Sequence, residues 1–208
     1  MPLTAVELWA LPESEKIQHQ LEVDYLYDKI PRNEREKVKE EAVRCGQREA
    51  EALKKKYPHT LLEEILTELN IEVIFERLPL TDEFASVAYF QLPNQLVINK
   101  TLILEAEVIC TQKKSELPVE VLTYLNPSFW LEVVMAHELF HYLQQQKPAL
   151  MVNTYRVKLW QIPFYTHTSP IAALSEIGAT AFAKVLLGLE HYPAFLENLL
   201  VEHLTENI

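Results

Sequence analysis

The residues best equipped for chemistry are His137, Glu138 and His141, in the run His137-Glu138-Leu139-Phe140-His141. On an α-helix, positions i and i+4 lie about 40° apart around the axis, so two imidazoles at that spacing can grip one metal ion. Glu138 stands about 60–100° round the same cylinder, beside the ion and within reach of a water. The His-Glu-x-x-His pattern therefore carries a mechanism: two ligands and a general base for hydrolysis. Catalytic zinc takes three protein ligands plus water, so a third ligand must come from elsewhere.

The metzincin continuation needs glycine at position 144 and histidine at position 147, where the chain has Gln144 and Lys147. A more distant ligand is required. Glu176 lies in Ser175-Glu-Ile-Gly-Ala-Thr-Ala-Phe-Ala, on a predicted helix with Ala173, Thr180 and Ala183 as small neighbours. Gly178 in the same run permits close approach of another backbone. His167, in an aromatic stretch, is the main rival, and His191, beside a Tyr-Pro bend, is a third candidate.

The elements that must hold these groups follow from local cues. Asn126-Pro127 opens the metal helix and Pro148 stops it, so it runs to about Lys147. Ser169-Pro170 caps a helix over Ile171–Leu187 that Gly188 ends, and a last helix covers about Ala194–Leu204. Upstream, Asn33 and Glu36 make an N-cap pair for a long, half-solvated helix over Glu34–Tyr57. Thr60 and Glu63 form a capping box for Leu61–Leu69. The stretch from Ile71 reads as a strand, and Phe84–Leu92 with Gln95–Asn99 as a hairpin turning at Pro93-Asn94. Residues 101–112 suit a helix or an edge strand, and 149–169 read as an aromatic loop forming one wall of a cleft. The fold class is α+β: a helix-rich chain with a small three-stranded sheet beside the metal helix. Residues 1–59 are expected to form a helical extension and 60–208 the chemical domain.

Bulk properties narrow the function classes. The 208 residues are 49% hydrophobic, as in a globular protein. Thirty acidic against 19 basic residues give a net charge of −11, which argues against nucleic acid or an anionic membrane as main partner. No basic, apolar leader opens the chain, and no apolar run nears the roughly 18–20 residues of a membrane span, so a soluble, cytoplasmic protein is expected. Cys45 and Cys110 are expected to be buried, reduced thiols, since no C-x-x-C pair exists.

Two stretches carry a family resemblance. Val134-Met-Ala-His-Glu-Leu-Phe-His141 is similar to the A-H-E-L-x-H helix of the ImmA/IrrE-type zinc-dependent peptidases. Glu176-Ile-Gly-Ala-Thr-Ala-Phe-Ala-Lys-Val-Leu-Leu187 looks like that family's E-x-x-A-x-x-F-A-x-x-L-L helix. Leu96-Val-Ile-Asn99 resembles, more weakly, the strand that precedes the metal helix. The similarity spans roughly residues 60–190. It implies His137 and His141 as zinc ligands, Glu176 as the third, and Glu138 as catalytic base. It also implies hydrolysis of a peptide bond in a protein partner such as a repressor. Phe140 stands where the family usually has glycine, and the usual Met-Pro after the paired leucines is replaced by Gly188-Leu189. The oxyanion-stabilising group is left open among His167, Tyr165, Tyr155 and Arg156. The alternative class is a non-catalytic binding or regulatory module whose metal is structural or absent.

Overall fold

The computed structural model describes residues 3–77, 87–112, 117–124 and 126–206. Within these the chain is α+β and mostly helical, and it divides into two compact units. The first comprises Met1–Leu11, Tyr57–Leu139 and Pro193–Ile208, and the second Pro12–Lys56 and Phe140–Tyr192.

The first unit holds the three-stranded sheet expected from the sequence. Strand β1 (Glu72–Glu76) pairs in parallel with β3 (Gln95–Asn99), and β2 (Ala88–Gln91) pairs with β3 on its other side, antiparallel. Central β3 is covered on both faces, which is why Leu96, Val97, Ile98 and Asn99 are all buried and show no alternation. The β2 turn lies at 92–94 as expected, while residues 84–86 of the expected strand fall outside the described part. Asn99 ends β3 and its Oδ1 accepts the Thr101 N–H (3.1 Å), capping a helix at Lys100–Gln112. That stretch is therefore helix rather than edge strand, although the side chain of Cys110 lies outside the described part.

Two short helices, α1 (Ala5–Ala10) and α4 (Leu62–Glu68), precede the Lys100–Gln112 helix, which is α5 once the second unit's α2 and α3 are counted; α6 (Val119–Tyr124) follows it. The α4 start corrects the expected Thr60–Glu63 box. Glu64 instead accepts the Leu61 N–H at 3.1 Å, and Leu61 has no side-chain acceptor to return the bond. Thr60 Oγ1 points to the Pro58 carbonyl. The helix ends at Asn70, which takes the left-handed φ of 57° that asparagine tolerates. Edge-to-face rings of Trp9, Tyr124, Phe129 and Phe195 tie α1 and α6 to α10 (Phe195–Glu206) and to Phe129 of α7 (Pro127–Gln146).

The second unit is built on α3 (Arg35–Lys56) and α9 (Ala172–Leu187), with α2 (Glu13–Glu22) and α8 (Met151–Thr154) against them. A Cβ at Gly46 of α3 would stand 2.0 Å from the Gly178 carbonyl oxygen, so the two helix backbones touch where neither has a side chain. Lys54, from the basic run at the end of α3, donates to the Val185 carbonyl at 3.1 Å, satisfying the last turn of α9. Gly188 closes α9 in the left-handed conformation at φ 67°.

Two expectations in this unit are corrected. Ser169-Pro170 does not cap α9, because both residues end a strand, β5 (Tyr165–Pro170). The cap comes from Asp24, whose Oδ2 accepts the Ala173 N–H at 2.9 Å while its Oδ1 accepts from Leu26. The expected aromatic loop over 149–169 is instead α8 followed by a hairpin of β4 (Arg156–Ile162) and β5. Its turn is Pro163-Phe164, which lacks the Asn or Gly that usually announces a two-residue turn. Among the described residues no helix is long and apolar enough to cross a membrane.

Candidate metal centre

Helix α7 presents the His-Glu-x-x-His run because both its ends are fixed. Asn126 Oδ1 accepts the Ser128 N–H at 3.0 Å, and Pro127 occupies the first helical position, where no N–H is needed. At the other end Pro148 forbids continuation. There Asn153 Nδ2 donates to the carbonyls of Gln144 (2.9 Å) and Lys147 (3.1 Å), satisfying groups the helix leaves orphaned. Between these ends Ala136, Leu139 and Phe140 are fully buried. Their burial turns His137, Glu138 and His141 to a partly exposed face.

The ligand-type atoms of His137, Glu138 and His141 lie within 4.8 Å of one another, and this group can hold a metal ion. A second carboxylate approaches from α9: Glu176 Oε1 lies 3.5 Å from His141 Nε2. A charge-assisted hydrogen bond would be shorter, about 2.7–2.9 Å. Two ligands of one tetrahedral zinc ion, each bonded at about 2.0–2.1 Å, stand about 3.4 Å apart. The His141–Glu176 separation has that length. The Glu176 side chain is 46% exposed and that of His141 21%, so solvent reaches both groups.

His141 is held from behind. Its Nδ1 lies 3.1 Å from Gln144 Oε1 and 3.3 Å from Ser175 Oγ. Ser175 donates to Gln144 Oε1 at 2.6 Å, and Gln144 Nε2 donates to Asn153 Oδ1 at 2.8 Å. None of these three residues was singled out from sequence. Gln144 was readable in principle, since it follows His141 at i+3 on one helix face, and Ser175 adjoins Glu176. Asn153 had no local signal.

The other histidine candidates are placed elsewhere. His167 stacks on Trp160 in the hairpin (centroids 5.2 Å apart, planes at 26°), and its Nδ1 faces the Tyr165 hydroxyl at 3.4 Å. His191 lies past α9, between that helix and α10, and neither histidine joins the group found among the described residues. Two of the oxyanion candidates are engaged. The Tyr155 hydroxyl donates to Glu34 at 2.9 Å, and burial beside that carboxylate pushes the phenol up to about 12. Arg156 donates from Nε and Nη2 to Thr168.

Phe140 is fully buried, with its ring 5.7 Å from Phe182. A Cβ on Gly178 would lie 2.8 Å from Phe140 Cζ. The glycine that leaves room for this ring is on α9. No protein-family model, curated protein or solved structure matches the chain.

Proposed function

We propose that the protein is a zinc-dependent metallopeptidase in which His137, His141 and Glu176 hold the ion and Glu138 is the general base. The observation that carries this reading is the 3.5 Å separation of His141 Nε2 from Glu176 Oε1, beside a His-Glu-x-x-His group already tight enough for an ion. Two neutral imidazoles and a carboxylate are the donor set of two-His-plus-Glu catalytic zinc, which keeps a fourth position for water. Bound zinc supplies Lewis acidity, polarising a substrate carbonyl and acidifying a water towards a pKa of about 7.

Glu138 does the proton work. Its carboxylate, beside the ligands on the same helix, accepts a proton from the attacking water and then delivers it to the departing amine. His141 is oriented by Gln144 and Ser175, so its Nε2 keeps its direction through the reaction. The resemblance to the ImmA/IrrE-type peptidases supports a peptide bond of a protein partner, such as a repressor, as the substrate.

The test is digestion of a complex peptide mixture by zinc-loaded protein, read by mass spectrometry, beside Glu138→Gln with its zinc content measured. Cleavage by wild type, and none by a zinc-retaining Glu138→Gln, supports the reading. Equal cleavage by both, or none by zinc-loaded wild type, rejects it in favour of a binding module.

A further inference from the structure

We infer that the tip of the β4–β5 hairpin docks this protein on an anionic lipid surface, its apolar residues entering the headgroup region and its cations meeting the phosphates. Strand pairing decides which side chains share a face. Trp160 stands opposite His167 and Ile162 opposite Tyr165, so by the two-residue period all four lie on one face. The rings agree: Trp160 lies 5.5 Å from Tyr165 and 5.2 Å from His167, centroid to centroid. Gln161 and Thr166, also a pair, take the other face. Val157, at the inner end of β4, is buried, whereas residues 160–166 are all exposed. Trp160, Ile162 and Tyr165 are 50%, 54% and 53% exposed, and Phe164 in the turn is 100% exposed.

The order along the hairpin fits a lipid interface. Ile162, Pro163 and Phe164 form the extremity, and Trp160 and Tyr165 come next. At about 3.3 Å per residue, Lys158 stands about 13 Å behind Ile162, with Arg156 behind it. Apolar tip, amphipathic rings and then cations match the layers met from acyl chains outward to the phosphates. A pocket on a protein would take Phe164 but gives no reason for the graded order behind it. The hairpin also suits the interface and no deeper level, because its outer backbone edges need water that the hydrocarbon core lacks.

The charge of the hairpin has the matching sign. The net −11 argues against such a surface for the chain as a whole, yet no Asp or Glu occurs between Glu138 and Glu176. Arg156 and Lys158 bond to neutral groups, Thr168 and Gln161, which leave their charges uncancelled. The turn packed against β4, Tyr27–Lys29, adds one acid and one base. Glu34 sits at the inner end of the hairpin, where it accepts from the Tyr155 hydroxyl. The acidic excess belongs to other segments, and salt screens it beyond about 8–10 Å.

This inference stands apart from the metal site. Its test is sedimentation of the full chain with vesicles of equimolar phosphatidylcholine and phosphatidylglycerol, beside vesicles of phosphatidylcholine alone, with tryptophan emission recorded. Wild type is expected to bind the mixed vesicles, less at high salt, with a blue shift that Trp160→Phe lacks. Phe164→Ser should weaken binding about tenfold, the scale of one buried phenyl ring. Because Phe164 is fully exposed, that variant should melt as wild type does. Lys158→Gln should weaken binding to the mixed vesicles about fivefold and leave binding to phosphatidylcholine unchanged. Wild type that sediments with neither vesicle overturns the inference, as does binding that Phe164→Ser leaves intact. Equal binding to both vesicles overturns the anionic surface. Self-association without vesicle binding, lost in Phe164→Ser, overturns it in favour of a second copy of the chain.

Discussion

The ring of Phe140 fills the space that Gly178 leaves empty: a Cβ on Gly178 would lie 2.8 Å from Phe140 Cζ and 3.1 Å from Cε1. The two positions are a matched pair. Phe140→Ala is expected to cost about 3–5 kcal/mol, as for a fully buried phenylalanine. Gly178→Ala is expected to cost about 1–3 kcal/mol through overpacking. Phe140→Leu with Gly178→Ala should cost less than the sum of its parts, because the shorter side chain makes room for the new methyl. Urea unfolding of wild type, Phe140→Leu, Gly178→Ala and the double variant measures the coupling, and strict additivity would contradict the pairing.

Removing Glu176 is expected to weaken zinc binding, and moving His167 is not. Glu176→Ala should lose the ion to a chelator that wild type resists, while His167→Ala should match wild type. With zinc at a hundredfold excess over its dissociation constant, wild type is expected to gain about 2.7 kcal/mol. For a chain of this length that raises the melting temperature by roughly 5–10 °C. Scanning calorimetry with and without chelator reads this directly.

Asp24 supports α9 from a distant point in the sequence. Its bond to the Ala173 N–H spans 149 residues, and its charge also suits the helix N-terminus. Asp24→Ala is expected to lower stability by about 1 kcal/mol, as for loss of an N-cap, and Asp24→Asn by less. Chemical unfolding decides this; an Asp24→Ala change within error of zero would assign the cap elsewhere.

Tyr155 should make the fold sensitive to alkali but not to mild acid. Burial and the Glu34 carboxylate both disfavour its phenolate, raising it to about 12. Because the folded value lies above the ordinary value of about 10, the stabilisation is complete below that ordinary value. It is lost as pH rises towards the folded value. Ultraviolet titration of tyrosinate should show Tyr155 ionising late, as does the fully buried Tyr192, and only Tyr155 moving down in Glu34→Gln.

The parts of the structure that were legible in sequence depend on neighbours along the chain. Helix α7 was bounded by Asn126-Pro127 and Pro148, and β3 was marked off by the Pro93-Asn94 turn before it. Glu176 could be singled out because its helix face is small. The hairpin of β4 and β5 was missed because Pro163-Phe164 carries no glycine or asparagine and its aromatic density suggested a loop. The Asp24 cap and the Asn153 contact with α7 were invisible because each joins segments that only tertiary structure brings together. Gly178 was correctly seen as a place of close approach. What approaches is the α3 backbone at Gly46 and the Phe140 ring.

The chain has only three glycines, and two of them meet at one point. Gly46 carries no chemistry, yet any side chain there must push α9 along with its carboxylate, because the obstacle is backbone and cannot rotate aside. A saturation screen scored on metal retention should therefore return position 46 as intolerant as a ligand position, with alanine already rejected. Its neighbours on the exposed side of α3, such as Arg48, should accept nearly anything. Intolerance of that kind marks a fulcrum of the helix rather than a contact with the ion.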